Sequence, residues 1–103
     1  MHVGKEAEQA ASSGFTLRVH PDVVSQRLGD SGVLVNVQTG RMFELNNTGI
    51  RVWELISSGC SGDEMVRRLT EEFTANEADV RAETAALVDD LVREGLLHAE
   101  RRA

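Results

Sequence analysis

Short alternating segments fill the first half of this chain, and helical spacing fills the second. Val23 to Leu28 reads as a first strand, ended by the turn cluster Gly29-Asp30-Ser31-Gly32. Val33 to Val37 reads as a second strand, with Val33, Val35 and Val37 on one face and Leu34 and Asn36 on the other. Arg41 to Asn46 is the third. A first helix is predicted from Thr48 to Ser57, with Ile50, Trp53 and either Val52 or Ile56 facing inward. Asn47 or Thr48 is placed to cap its free N–H groups, Gly49 to relieve a clash at the junction, and Gly59 to end the helix. Ser61-Gly62-Asp63-Glu64 is a capping box opening a second helix that carries Met65, Val66, Leu69 and Phe73. Thr74-Ala75-Asn76-Glu77 matches the same box and opens the third and longest helix. There Val80, Thr84, Leu87, Val88 and Leu91 form one stripe, and Gly95 terminates it. Leu96 and Leu97 are then free to fold back and close the core.

The register of the last two strands follows from the same pattern. A three-residue loop, Gln38-Thr39-Gly40, pairs Val35 with Phe43 and Val33 with Leu45, so that large apolar residues share one face. Gly40 takes the left-handed position of that loop. Leu34, Asn36, Met42 and Glu44 then make the mixed outer face. The expected architecture is α+β and winged helix-turn-helix-like: a three-stranded antiparallel meander followed by three helices.

At 103 residues the chain is one domain. Residues 1–14 are polar and lack any apolar period, so they read as a disordered tail before a domain spanning residues 15–100. No segment has signal-peptide or membrane-spanning character. The single cysteine, Cys60, excludes an internal disulfide and fits a reducing, cytoplasmic setting. A net charge of −6 disfavours nucleic acid as the main partner.

Catalytic chemistry finds little support. His2, His20 and His98 lack metal-ligand spacing to one another or to Cys60, so no metal or other cofactor is expected. Cys60 lies between Gly59 and Ser61 in a loop. Asp89 and Asp90 are neighbours on a helix and point to different sides. Gly29 and Gly32 flank a hairpin turn rather than a strand-to-helix switch, which excludes a phosphate-cradling loop. The chain is therefore read as a non-enzyme. The helix-turn-helix outline raises a winged-helix DNA-binding regulator as the alternative. Its recognition helix, Asn76 to Gly95, carries Glu77, Asp79, Glu83, Asp89, Asp90 and Glu94 against Arg81 and Arg93, a balance of −4. Phosphate would repel that element. Trp53 fits a core anchor better than a ligand-stacking residue.

Peptide binding is the class that keeps a concrete mechanism. If the third strand is an edge, its unpaired backbone can take an extended peptide as a further strand. The peptide's side chains would fall in a trough against the third helix. From the residues alone, the competing arrangement has the whole helix stripe in the core and the edge covered by the N-terminal tail.

Leu45, Asn46, Thr48, Gly49 and Trp53 make a Leu-Asn-x-Thr-Gly-x-x-x-Trp core. Around it lie Pro21 and Val23, Gly32-Val33-Leu34-Val35, Ser58-Gly59-x-Ser61-x-x-Glu64 and Leu91-x-x-Glu94-Gly95-Leu96-Leu97. In this order the motifs, from Val19 to His98, resemble the PqqD family of peptide chaperones, also called RiPP recognition elements. The resemblance implies the winged-helix architecture. It also implies non-catalytic binding of the leader region of a ribosomally synthesised precursor peptide. The leader adds to the third strand, Arg41, Met42, Phe43, Glu44, Leu45 and Asn46. It packs against Val80, Arg81, Thr84, Leu87 and Val88 of the third helix. The implied partners are the leader and a modifying enzyme served in trans. That enzyme is either a radical-SAM protein, as in pyrroloquinoline quinone biosynthesis, or the leader peptidase of lasso-peptide biosynthesis.

Overall fold

A computed structural model describes residues 15–101; the tail expected over residues 1–14 lies outside them. The chain runs β1 (Phe15–Val19), β2 (Val23–Leu28), β3 (Ser31–Asn36), β4 (Met42–Asn46), α1 (Asn47–Ser57), α2 (Gly62–Glu72), α3 (Glu77–Arg93) and β5 (Leu97–Arg101). Strands β2, β3 and β4 form an antiparallel meander in that order, and the three helices follow it. This is the expected α+β arrangement. Strands β1 and β5 are an addition to it. They pair antiparallel from Phe15 with Arg101 to Val19 with Leu97, closing the two ends of the described chain on each other. Leu96 and Leu97 do fold back into the core, as expected, and Leu97 does so as the first residue of β5.

The expected register of β3 and β4 is off by one residue. Leu34 lies opposite Phe43 and Gly32 opposite Leu45, while Val35 faces Met42 and Val33 faces Glu44. The connection is a four-residue loop, residues 37–40, closed by a hydrogen bond from the Gly40 amide to the Asn36 carbonyl. Two interactions hold this longer loop. The Asn36 side-chain oxygen accepts from the Gln38 and Thr39 amides, and the Val37 amide donates to the Asp22 carbonyl. Gly40 does adopt the left-handed conformation, at φ 76°. The β4 faces are as expected, but β3 is turned over: Leu34 is fully buried while Val37 is exposed. Helix α1 explains the choice. Ile50 packs directly on Gly32, in space that a β-carbon would occupy, so the Gly32–Leu34 face must look inward.

Helix starts also shift slightly from expectation. Asn46, rather than Asn47 or Thr48, caps α1, its side-chain oxygen accepting the Gly49 amide at 2.8 Å. Gly49 sits inside the helix, tight against Leu45 and the Asn46 side chain, so its role is close packing rather than turning. Ser61 caps α2 through the Glu64 amide, which is one half of the capping box; the Glu64 carboxylate accepts from Arg68 instead of reaching back to Ser61. Asn76, not Thr74, caps α3, accepting from the Ala78 and Asp79 amides. Thr74 instead takes the left-handed turn position after α2.

The core lies where the three helices meet the inner face of the meander. Leu34, Ile50, Leu55, Met65, Leu69, Val88, Leu96 and Leu97 are fully buried, and Trp53 is 2% exposed among them. Trp53 is thus a core anchor. An ionic clamp ties the periphery to this core. Arg27 on β2 grips Glu54 on α1 through two hydrogen bonds of 3.0 Å, and Arg51 on α1 grips Glu72 on α2 at 2.7 and 2.9 Å. Arg27 also donates to Asn47 and to the Gly29 carbonyl, which fixes the β2–β3 turn against the start of α1.

Candidate functional site

Strand β4 is an edge of the meander, and its hydrogen-bonding direction can be read from the ladder. The Asn36 amide bonds to the Arg41 carbonyl, so Asn36 and Arg41 are a hydrogen-bonded pair. Bonded pairs recur at every second position of an antiparallel ladder. Phe43 and Leu45 therefore turn their backbone groups to β3, opposite Leu34 and Gly32. The amides and carbonyls of Met42 and Glu44 point away from the sheet, and no further strand pairs with them among the described residues.

A cleft of about 240 Å³ lies along this edge, between the C-terminal half of β4 and the middle of α3. Its lining is Glu44, Leu45 and Asn46 from β4, Thr48, Gly49 and Val52 from α1, and Glu83, Thr84 and Leu87 from α3. The volume falls below the roughly 300–1,000 Å³ of small-molecule sites. It suits one inserted side chain. At the other end of the edge, Arg41 reaches across to Glu94 at the end of α3, 3.0 Å away. The Arg41 guanidinium lies 5.0 Å from the centre of the Phe43 ring.

The sequence-derived site residues divide by element. Those of β4 lie along the open edge: Glu44, Leu45 and Asn46 line the cleft, Met42 is 65% exposed on the outer sheet face, and half-buried Phe43 faces inward under Arg41. The Asn46 side chain is occupied in capping α1. On α3, Thr84 and Leu87 line the cleft. Val80 and Val88 are buried in the core, and Arg81 turns toward α2, where it meets Asp63 at 3.5 Å, and also pairs with Glu77 one turn back on α3 at 3.4 Å. Glu83, Thr48, Gly49 and Val52 belong to the cleft without having been singled out for it. Glu83 was legible, since it lies one helical turn before Leu87 at the rim of the apolar stripe.

Electrostatics sort the carboxylates into two groups. Hydrogen bonds from Arg27 hold Glu54 below the usual carboxylate range, and those from Arg51 do the same for Glu72. Glu44 and Glu83, by contrast, make no ion pair among the described residues. The described residues hold no cluster of three or more His, Cys, Asp or Glu placed to bind a metal. His20 and His98, distant in sequence, stack with ring centroids 6.3 Å apart. The Asp22 amide donates to the His20 Nδ1, which places that pair in a structural role beside the β1–β5 ladder. Among the described residues no helix is long and apolar enough to cross a membrane.

The profile of the family described as coenzyme PQQ synthesis protein D (PqqD) matches residues 31–97, which include β4, α1 and α3. Two solved structures share the fold. TbiB1 in complex with the TbiA(beta) leader peptide is 28% identical, with a TM-score of 0.73 over 79% of this chain and 94% of that one. Lasso peptide synthetase B1 complexed with the leader peptide is 24% identical, with a TM-score of 0.72 over 81% of this chain and 98% of that one. No protein of curated function matches.

Proposed function

This chain belongs to the PqqD family, and on that premise we propose that it binds the leader region of a ribosomally synthesised precursor peptide and delivers it to a separate enzyme. The leader adds to β4 as a further strand. The observation that carries this reading is the free edge of β4 opening onto a cleft. The outward amides and carbonyls of Met42 and Glu44 supply backbone bonds that any sequence can make. The cleft between Leu45, Val52, Thr84 and Leu87 supplies the selectivity for a side chain. Only part of the α3 stripe is needed for the core, which leaves Thr84 and Leu87 to meet the guest.

The domain works by presentation, not by catalysis. Backbone pairing holds the leader extended, and an extended segment is the form in which a second protein can reach the adjoining core peptide. The likeness to two structures of leader-bound proteins supports this role. It also favours a lasso-peptide pathway, with a leader peptidase as the enzyme served, over a radical-SAM enzyme.

Hydrogen exchange tests the mode directly. A synthetic precursor-leader peptide that binds the chain should slow exchange at the Met42 and Glu44 amides and leave the Phe43 and Leu45 amides, already bonded to β3, little changed. Protection that appears elsewhere, with the Met42 and Glu44 amides unaffected, would rule out strand addition at β4.

A further inference from the structure

The cleft's walls carry more chemistry than a purely apolar anchor needs. Leu45, Val52 and Leu87 give it an apolar lining. Thr84 also lines it, is 2% exposed, and makes no side-chain hydrogen bond among the described residues. Other threonine and serine side chains in these helices do bond: Thr70 donates to the Val66 carbonyl and Ser57 to the Trp53 carbonyl. The Thr84 hydroxyl is thus left with its hydrogen-bonding capacity free at the cleft wall, where a guest can use it. Glu44 lines the strand side and Glu83 the helix side, and neither has a counter-ion among the described residues. Elsewhere on α2 and α3, Asp63, Glu64, Glu72, Glu77, Asp89, Asp90 and Glu94 are each paired with an arginine, while Glu71 and Asp79 have no ion pair among the described residues but lie outside the cleft.

We propose that the cleft takes a basic side chain, lysine or arginine, of the leader. This rests on the leader-binding reading above and names the residue class that the site selects. The aliphatic stem lies along Leu45, Val52 and Leu87, as such stems do on apolar surface. The cationic head meets Glu44 and Glu83, and it donates a hydrogen bond to the Thr84 hydroxyl. A single basic residue seated in this cleft also sets the register of a peptide whose backbone pairing alone would allow slippage.

The test is a selection of a displayed random-peptide library on the immobilised full chain, followed by anisotropy on the selected peptides. The expected result is one position dominated by lysine or arginine. Replacing that residue with leucine should weaken binding about tenfold in the native protein. The same replacement should matter less than about twofold in a Glu44→Gln/Glu83→Gln variant, because the charge partners are gone. Thr84→Val should lower affinity for the basic peptides while leaving thermal stability unchanged or higher, a split that a merely structural threonine would not show. Selected peptides that instead share an apolar residue, insensitive to the two glutamates, overturn this inference and leave leader binding intact. A folded protein that selects no peptide at all overturns both.

Discussion

Ile50 of α1 fills the space above Gly32 of β3 so closely that a β-carbon on Gly32 would overlap the Ile50 side chain back to its own branch point. That contact turns β3 over relative to the simple apolar count, and with it decides which faces of the meander look inward. Gly32→Ala should therefore cost about 1–3 kcal/mol, the range for overpacking a well-filled core. Urea unfolding would read the loss as a lower midpoint. A midpoint equal to that of the native protein would mean that α1 does not bear on Gly32 as described.

Proline on β4 should separate folding from binding. Met42→Pro removes an amide that points away from β3, and edge strands tolerate proline in that position. The folded state should persist while leader affinity falls by about tenfold or more, since a backbone bond is lost and the ring meets the added strand. Phe43→Pro removes an amide bonded within the ladder opposite Leu34 and should unfold the meander. Calorimetric titration of both variants against a leader peptide, with circular dichroism as the folding control, checks the pair. Unchanged affinity in a folded Met42→Pro protein counts against strand addition.

Trp53→Ala should destabilise the domain by about 3–5 kcal/mol, because the indole is buried at 2% exposure among residues that cannot refill its volume. For a domain of this size such a loss is a large share of the total stability. A thermal melt checks it, and a variant that melts like the native protein would show that the core is not anchored there.

Acid should loosen the clamp made by Arg27, Glu54, Arg51 and Glu72. Arginine hydrogen bonds lower the folded-state pKa of both glutamates below their ordinary value of 4.5. Groups depressed on folding contribute stability above that ordinary value and lose it as pH falls through the lower folded value. Stability should hold from neutral pH down to about 4.5 and then drop. Both ion pairs are a third or more exposed on the carboxylate side, so the drop is modest. Urea midpoints measured across acid pH should show it, and a Glu54→Gln/Glu72→Gln variant should flatten that limb. An equally steep limb in the variant would place the acid sensitivity elsewhere.

Duplex DNA should not bind. Helix α3, the element a winged-helix regulator would lay on phosphate, carries Glu77, Asp79, Glu83, Asp89 and Asp90 against Arg81 and Arg93, and both arginines are paired with acids. Electrophoresis with random duplex at low salt should show no retarded band. Robust retardation there would revive the regulator.

Local chemistry carried most of the fold. The pattern from Val23 to Gly95 holds the three meander strands, the Ser61 cap, the left-handed turn at Gly40 and the burial of Trp53, because each depends on neighbours within a few residues. The Leu45-Asn46-x-Thr48-Gly49 junction likewise marked the joint between edge strand and helix, and Asn46 closes it. What the sequence left open was settled by contacts between distant segments. Counting large side chains favoured burial of Val33 and Val35, but Ile50, far along the chain, selects the face with Gly32 because it needs the absence of a side chain there. Strands β1 and β5 exist only as each other's partners. The cleft shares that origin: periodicity placed Val80, Thr84, Leu87 and Val88 on one stripe, and only the gap that the fold leaves between α3 and the β4–α1 junction brings Thr84 and Leu87 to its wall.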